Sequence, residues 1–314
     1  MHRIDGPGAT VDNKFTEGDP VGGVQATVVT DDWLNDVQEE MISVLTAGGV
    51  APVKGTQDQV LAAIRAIIGK SGHGQCRLSV ASPTSLALFP YNGNNLIING
   101  APQQVPGAGV TISNSGLAAS TVYYVYAFMS SGTMTLELST TGHATGTNGI
   151  EQKTGDATRT LVGMIRTNAS IQFVNSFTQR FCINWFNRRP LGVIQGFAAN
   201  RSTTSTSMVE ISASERAEYL SWRDEGVTAY TPVLISLSAP GTINTALYVN
   251  GAVSASFLAS ATNASVGVPI TIAVNTVQTG LEGYFFASVY GNAPAGITAT
   301  WQANVTVMTV MTQG

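Results

Sequence analysis

The hydrophobic and polar positions change their period once along this chain. Up to residue 68, apolar positions recur at helical spacing in two short segments, residues 30–45 and 56–68, while residues 1–29 show no period. From Cys76 onward, apolar positions alternate with polar ones, which is the pattern of half-buried strands. The chain is therefore predicted to be mainly β, with an N-terminal extended arm and a helical hairpin ahead of a β-rich body.

The first helical segment carries a start signal and a stop signal. Thr30 is a favourable N-cap residue, and Asp31 and Asp32 place negative charge where the helix dipole is positive. Gly48-Gly49 ends the pattern, because glycine readily adopts the left-handed conformation that closes helices. The positions that share one face at helical spacing are Trp33, Leu34, Val37, Met41, Val44 and Leu45.

The second helical segment opens with Thr56-Gln57-Asp58-Gln59, which matches a capping box. Its apolar stripe comprises Val60, Leu61, Ile64, Ile67 and Ile68, and Gly69 ends it. Because the link between the segments is short, we expect the two helices to be antiparallel neighbours. Two short helices bury little area by themselves, so their stripes need a third surface, which is the β body, another subunit or another protein. We expect one of the last two, because a Gly-rich arm and linker flank the helices. The predicted docking residues are Trp33, Leu34, Val37, Met41, Leu61, Ile64 and Ile68.

The β body divides into two predicted domains near Arg188-Arg189-Pro190. In the first, strands over Thr121–Met129 and Thr133–Leu138 are joined by a Ser131-Gly132 turn. In the second, the strand rhythm is that of a jelly-roll-like β-sandwich. Its candidate strands are Ser207–Ser212, Val227–Ser236, Thr242–Asn250, Ala252–Leu258, Ile270–Val277, Gly283–Tyr290 and Ile297–Val310. The predicted domains are a virion-attachment segment of arm and helices at 1–75, a β-rich middle domain at 76–196 and a C-terminal β-sandwich at 197–314.

Few residues of this chain are charged. Lys, Arg, Asp and Glu make up 11% of it, against about 25% in ordinary soluble domains. Such a composition suits oligomers, in which fewer charges have to face solvent, and we expect the protein to self-associate. The net charge of −4 gives no reason to expect nucleic acid or an anionic membrane as a partner.

Motifs for cofactors and metals are lacking, and we predict none of either. Gly69-Lys70-Ser71 misses the glycine that a phosphate loop needs five residues earlier. The histidines are His2, His73 and His143, which are too few and too scattered for a zinc site, and we expect them to be solvated.

The two cysteines and the lengths of the apolar runs indicate the cellular compartment in which the protein is made. Cys76 and Cys182 are too few for a disulfide framework, and we expect both to be buried and reduced. No apolar run reaches the length of a membrane-spanning helix, and Met1–Asp12 lacks the apolar core of a signal peptide. We predict synthesis in the cytoplasm without membrane insertion.

The carboxylates do not form a convincing catalytic pair. Glycoside hydrolysis needs two facing carboxylates, and residues 76–196 contain only Glu137, Glu151 and Asp156. The acidic residues between Glu210 and Glu225 alternate with arginines, so we predict ion pairs on a solvated loop. We expect a protein that is not an enzyme, with hydrolase activity as the weaker alternative.

Aromatic side chains of the C-terminal domain are candidates for contact with a glycan. Trp222, Tyr230, Tyr284 and Tyr290 would stack on sugar rings if they lie at loop tips. The alternative is a place in the core, because aromatic residues fit half-buried strands.

Two stretches of the sequence resemble proteins of tailed bacteriophages. The first begins at Ile4-Asp5-Gly6, passes through Phe15-Thr16-Glu17-Gly18 and continues over residues 30–40 (TDDWLNDVQEE). It is similar to the N-terminal segment of tail-fibre and related tail proteins. The second comprises Ser120–Leu138 and Thr154–Met164, and it resembles a β module that recurs in such virion proteins.

The resemblance implies a virion structural protein, namely a tail-fibre or fibre-adaptor subunit. In that family the N-terminal end attaches to the particle and the distal β domains project outward, usually as trimers. The implied location is the virion tail after synthesis in the host cytoplasm. The implied partners are further copies in a homotrimer, phage tail proteins, and a host surface glycan or a distal fibre protein. A head fibre or capsid-decoration protein and a polysaccharide-degrading tail spike are the alternatives.

Overall fold

The chain folds into two compact units, Met1–Ser71 and Gly72–Gly314. The structure is a computed structural model that describes residues 2–69, 72–251 and 258–314. Within these residues two helices precede all the strands, so the prediction of a mainly β chain with an N-terminal helical pair is confirmed. Most of the candidate strand Ala252–Leu258 lies outside the described residues.

The first unit is built on two packed helices, α1 (Asp31–Gly48) and α2 (Gln59–Gly69). As predicted, α1 ends at a left-handed glycine, because Gly49 has a φ of 72° and its amide donates to a carbonyl of the last turn. The helices approach closely through small residues: a Cβ atom at Gly48 would lie 2.5 Å from the Cα of Ala63. Ala63 and Leu45 are buried at this contact.

The two helix starts differ from the predicted capping. Helix α2 begins at Gln59, so the predicted capping box at Thr56 is wrong. Instead, the Gln59 side-chain amide donates to the carbonyls of Val53 and Thr56 and thereby holds the preceding loop. Thr30 occupies the N-cap of α1 with extended backbone, yet its side chain makes no capping hydrogen bond.

The chain before α1 is irregular and folds back on itself. The Val28 amide donates to the Pro7 carbonyl at 2.8 Å, and the Thr27 hydroxyl donates to the Gly8 carbonyl at 2.9 Å. Ile4 is buried. The arm therefore gains order from contacts within its own unit.

The described residues of the second unit form strands in five sheets. In chain order the described strands are β1 (Cys76–Ser82), β2 (Ser85–Pro90), β3 (Asn95–Ile98), β4 (Ala101–Gln104), β5 (Val110–Ser113), β6 (Val122–Ser130), β7 (Thr133–Ser139), β8 (His143–Thr145), β9 (Glu151–Lys153), β10 (Asp156–Arg166), β11 (Gln179–Arg180), β12 (Cys182–Asn184), β13 (Pro190–Gly196), β14 (Arg201–Thr203), β15 (Val209–Glu210), β16 (Ala217–Ser221), β17 (Gly226–Leu237), β18 (Gly241–Val249), β19 (Ala259–Asn263), β20 (Ile270–Thr279), β21 (Gly283–Gly291), β22 (Ala299–Trp301) and β23 (Val307–Gln313).

The sheets divide the unit into a middle part and a sandwich. The middle part has a three-stranded sheet β1-β2-β5, a ribbon β3-β4, and a six-stranded middle sheet β7-β6-β10-β9-β8 with β12 also on β10. The sandwich has two six-stranded sheets. Sheet I is β11-β16-β21-β18-β19 with β15 on β21, and sheet II is β13-β23-β17-β22-β14 with β20 on β17. Side chains such as Val193, Ile235, Leu247 and Trp301 form the core between them.

Strand pairing moves the predicted boundary between the β domains. Strand β13 pairs along its whole length with β23, from Pro190–Gln313 to Gly196–Val307, so it belongs to the sandwich and not to a domain ending at 196. Strand β11 likewise joins sheet I through β16. These partners are far apart in sequence, which is why strand rhythm alone misplaced the boundary. The predicted strand Ile297–Val310 is also two strands, β22 and β23.

A third apolar cluster joins the middle sheet to sheet I, and we call it the junction cluster. Its buried members are Tyr126, Leu161, Met164, Ile183, Leu220 and Trp222. The middle part and the sandwich thus share buried side chains, in keeping with their forming a single compact unit.

Candidate functional site

Most of the predicted docking residues are exposed on the first unit. On α1, Leu34 is 53% exposed and Met41 45%. On α2, Leu61, Ile64 and Ile68 are exposed by 48%, 43% and 65%. Trp33 and Val37 are half-buried. We call the exposed group Leu34, Met41, Leu61, Ile64 and Ile68 the apolar stripe.

The contact between the two helices does not bury the apolar stripe. The helices meet through Leu45, Gly48 and Ala63, which leaves Leu61, Ile64 and Ile68 together on the other side of α2. Helix α2 has 11 residues against 18 in α1. At about 1.5 Å per residue it is too short to cover all of α1.

The N-terminal arm covers one flank of α1. The Phe15 ring meets Trp33 edge-on, with ring centroids 5.1 Å apart. His2 Nδ1 lies 2.6 Å from a carboxylate oxygen of Asp36. Trp33 is thus partly covered by Phe15, a residue of the same unit.

The four candidate glycan residues do not form one site. Trp222 is fully buried in the junction cluster, so its predicted contact with a glycan is wrong. The signal was ambiguous because tryptophan is as common in a β core as on a binding surface. Tyr230 is 49% exposed, but it lies on β17 in sheet II, whereas the other two tyrosines lie on β21 in sheet I.

The two tyrosines of β21 already have partners. The Tyr284 hydroxyl donates to a Glu218 carboxylate oxygen at 2.5 Å, and the Arg166 guanidinium lies 3.8 Å from its ring centroid. Tyr290 stacks on Tyr248 with centroids 4.4 Å apart. One face of each ring is therefore already occupied by a neighbouring side chain.

A pocket that the sequence did not indicate lies at the junction between the middle sheet and the sandwich. Its volume is about 390 Å³. The lining residues are His143, Ala144, Thr145, Glu151, Trp185, Arg223, Asp224 and Glu282. They come from β8, β9 and the loops after β12, β16 and β20, so only the tertiary fold brings them together.

His143 lies between two carboxylates in this pocket. Its Nδ1 is 2.5 Å from Glu151 and its Nε2 is 3.3 Å from Glu282. Burial by itself lowers the pKa of His143, but the hydrogen bonds to Glu282 and Glu151 outweigh burial and raise that pKa. The prediction of a solvated histidine is wrong here, because pairing of β8 with β9 places His143 beside Glu151.

Glu282 carries the contact across the junction. Tyr124 of β6 donates its hydroxyl to Glu282 at 2.7 Å, while His143 of β8 lies on the other carboxylate oxygen. Burial by itself raises the pKa of Glu282, but the hydrogen bonds from His143 and Tyr124 lower it. A residue next to sheet I is thus joined to the middle sheet by an ion pair with His143 of β8 and by a hydrogen bond from Tyr124 of β6.

Next to this pocket, Arg188 packs against the indole rings of Trp185 and Trp222. Trp185 and Trp222 meet edge-on with centroids 5.0 Å apart, and the Arg188 guanidinium lies 4.4 Å from the centroid of Trp185. Arg188 also donates to Asp224 at 2.8 Å and lies 3.2 Å from Glu225. Cation–π and ionic contacts therefore converge on one side chain.

The Glu225 carboxyl beneath Arg188 predicts a pH dependence. Burial raises its pKa to about 7, because Arg188 offsets only part of the desolvation. An acid with a raised pKa in the folded state stabilises the fold most below its ordinary pKa, and that stability is lost as the pH rises through about 7. Glu225→Gln is therefore expected to be more stable than the wild type at pH 8, by at most about 3 kcal/mol, and equal to it at pH 5.

Thermal unfolding at pH 5 and pH 8 measures this difference. Asp224→Asn is the matched control, because its carboxylate also contacts Arg188 but is largely exposed. A Glu225→Gln variant with the same shift in melting temperature at both pH values would contradict the prediction.

Of the acidic residues between Glu210 and Glu225, Glu210, Glu215, Asp224 and Glu225 are ion-paired, as predicted, but not all of them are solvated. Arg216 makes a two-pronged contact with Glu210 at 2.7 Å, and Arg201 lies 2.9 Å from Glu215. Glu215 and Glu225 are buried, so the predicted solvated loop is wrong for these two. Pairing with arginine explains how carboxylates can be buried there.

The remaining site predictions concern metals, thiols and membranes. Among the described residues, no group of three or more His, Cys, Asp or Glu is placed to hold a metal ion. Cys76 and Cys182 are free and buried as predicted, and burial raises the pKa of both thiols to about 12. Neither described helix combines the length and apolar character needed to span a membrane.

Known proteins offer limited similarity. No protein-family model matches the chain. The uncharacterized protein StfP of Escherichia coli (strain K12) is 43% identical over 74 residues, which is 22% of this chain and only 35% of that relative's length. Infectious bursal disease virus, Gt strain, has a TM-score of 0.30 at 12% identity over 76% of this chain and 70% of that one. Latent PorU from Porphyromonas gingivalis has a TM-score of 0.28 at 9% identity over 63% and 22%. Scores this low support no inference about fold or function.

Proposed function

We propose that this chain is a bacteriophage virion structural protein, namely a tail-fibre or fibre-adaptor subunit. It docks to the tail through its first unit and displays the β unit to a host surface glycan or to a distal fibre protein. Its partners are phage tail proteins and two further copies of itself in a homotrimer. The proposal is supported by the resemblance of residues 4–40 to the N-terminal segment of tail proteins. The observation that carries it is the exposed apolar stripe.

The apolar stripe needs a partner on physical grounds. Burying one large apolar side chain contributes roughly 1.5–3 kcal/mol, so leaving five of them in water forgoes a large stabilisation. Exposed apolar groups that share one face, as Leu61, Ile64 and Ile68 do on α2, mark interaction sites in soluble proteins. Several stripes brought to one particle by an oligomer would hold without a covalent bond, because linked contacts reinforce one another.

The role of the β unit is binding and display, without catalysis. The carboxylates that could act on a glycosidic bond are engaged by cations: Glu137 by Lys153 and Arg159, and Glu151 by His143. Burial by itself raises the pKa of Glu137, but the hydrogen bonds from Lys153 and Arg159 lower it, and a carboxyl group with a lowered pKa is a poor general acid. This supports a structural role over that of a polysaccharide-degrading spike.

Polar substitution of the stripe on α2 tests the docking role. The full-length chain with Leu61→Gln, Ile64→Gln and Ile68→Gln keeps good helix formers at these positions, and it is expected to join particles at least about tenfold less than the wild type. Immunoblotting of purified particles measures the incorporated chain. The matched control carries Ala62→Gln, which is exposed on the same helix but is turned about 100° away from Leu61 and so lies outside the stripe.

Two results would contradict the proposal. Incorporation of the stripe variant at the wild-type level would remove the docking role. Antibody labelling of the capsid instead of the tail in electron micrographs would favour the head-fibre alternative.

A further inference from the structure

Four neighbouring strands of sheet II contain no charged residue. The strands β13, β23, β17 and β20 contain no Asp, Glu, Lys or Arg along their whole lengths. On these strands the residues alternate between buried and exposed, so one face lies in the sandwich core and the other faces outward. The solvent-facing side of an antiparallel sheet normally carries polar side chains, and a large apolar patch there marks an interaction site.

Strand register brings four large apolar side chains together on this outer face. Ile194 of β13 and Tyr230 of β17 lie in one row, because both pair with Thr309 of β23. Met311 of β23 and Val277 of β20 lie in the adjacent row, because both pair with Thr228 of β17. Their exposed fractions are 44–50%. We call the outer face of β13, β23, β17 and β20, with these four side chains on it, the neutral face.

The other outer face of the same sandwich has the opposite character. On sheet I, Glu210 and Arg216 form an ion pair, and Arg216 also lies 3.9 Å from the Phe286 ring centroid. Glu218 accepts hydrogen bonds from Gln179 and Tyr284. The neutral face is therefore a property of one sheet and does not follow from the low charge of the chain alone.

The size of the neutral face suits a protein–protein contact. Four strands at a spacing of about 4.8 Å and seven residues at about 3.4 Å each give a projected area of about 450 Å². Each partner in a standard interface contributes about 800 Å² of accessible surface, and accessible surface exceeds projected area on a side-chain-covered sheet. The neutral face is thus large enough to form the centre of such an interface.

We propose that the neutral face is where copies of this chain pack against one another. Side chains that lie near the rotation axis of a homo-oligomer meet their own symmetry copies, so a charge there would face a like charge. A surface without charge satisfies that condition, whereas a partner of a different sequence would not require it. Tyr230 and its neighbours then fill the centre of the contact, where aromatic anchors contribute most.

Charged substitution of the full-length chain tests this proposal. Tyr230→Lys with Val277→Lys places like charges in the contact and is expected to shift self-association at least about hundredfold to higher concentration. Val266→Lys with Val268→Lys adds the same charge at valines that are similarly exposed outside the face, and it is expected to leave self-association unchanged. Sedimentation equilibrium measures the mass, and circular dichroism confirms that each variant is folded.

A thiol placed on the neutral face gives an independent measurement. Because Cys76 and Cys182 are both buried, Asn275→Cys, next to Tyr230 in the same row, introduces an accessible thiol. Mild oxidation is expected to join copies of Asn275→Cys by a disulfide, while Val268→Cys gives no such product. A wild-type chain that sediments as a monomer, or lysine variants that assemble like the wild type without cross-linking at Asn275→Cys, would overturn the proposal.

The inference rests on the proposed function only in taking the chain to act as an oligomer, and the two can fail separately. If the lysine variants dissociate but the chain never enters particles, only the proposed function fails. If particles contain the chain and its assembly ignores the neutral face, only this inference fails.

Discussion

Replacing Trp222 with alanine is expected to destabilise the second unit by about 3–5 kcal/mol. The indole is fully buried, and its Nε1–H donates to the Asn184 carbonyl at 2.9 Å. Alanine would leave a cavity in the junction cluster and a buried carbonyl without its donor. Because Trp222 follows β16 of sheet I and Asn184 ends β12 on the middle sheet, the loss weakens the contact between the two parts. Urea unfolding measures the free energy.

Trp222→Phe separates packing from hydrogen bonding at this position. It keeps an aromatic ring but removes the donor, so we expect a smaller loss of about 1–3 kcal/mol. If Trp222→Ala cost less than Trp222→Phe, or if neither changed stability, the central place of this indole in the junction cluster would be contradicted.

Replacing His143 with alanine is expected to cost about 3 kcal/mol near pH 5.5, because it leaves Glu151 and Glu282 poorly solvated and without their cation. Only about 14% of the His143 side chain is exposed, and the two carboxylates are similarly covered. A histidine whose pKa is raised by folding contributes fully below its ordinary pKa of 6.5. That contribution is lost as the pH rises through the raised value. The penalty for His143→Ala should therefore shrink by pH 9.

Tyr124→Phe is the matched control for the charge at this site. It removes the other hydrogen bond to Glu282 without removing a charge, so we expect a smaller loss that is the same at pH 5.5 and pH 9. Chemical unfolding at both pH values distinguishes the variants. An equal loss for His143→Ala at the two pH values would show that its charge does not stabilise the junction.

Features that depend on neighbouring residues were readable from the sequence. The end of α1 at Gly49 follows from a glycine that accepts a left-handed φ. The hairpin turn at Ser131-Gly132 has φ values of 47° and 79°, as a turn between two strands requires. The positions of β6 and β7 differ from the predicted strands by about one residue. In each case the signal and the structure it encodes lie within a few residues.

Features that depend on distant partners were not readable. His143 was expected to be solvated, because nothing near it in sequence shows that Glu282 lies against its ring. Trp222 was a candidate for glycan contact, because only the packing of β16 against the middle sheet buries it. The strand β13 was assigned to the wrong domain, since its partner β23 ends the chain.

The sequence by itself determined that this protein is mainly β with two apolar helices at its front, because periodicity and turn residues act locally. The stretches that become β13, β17, β20 and β23 contain no charged residue, but strand rhythm did not single them out. Only the tertiary structure decided that these strands lie side by side with Ile194, Tyr230, Val277 and Met311 on one outer face. The physical reason is that strand register is set by long-range hydrogen bonds and core packing, which no local pattern encodes.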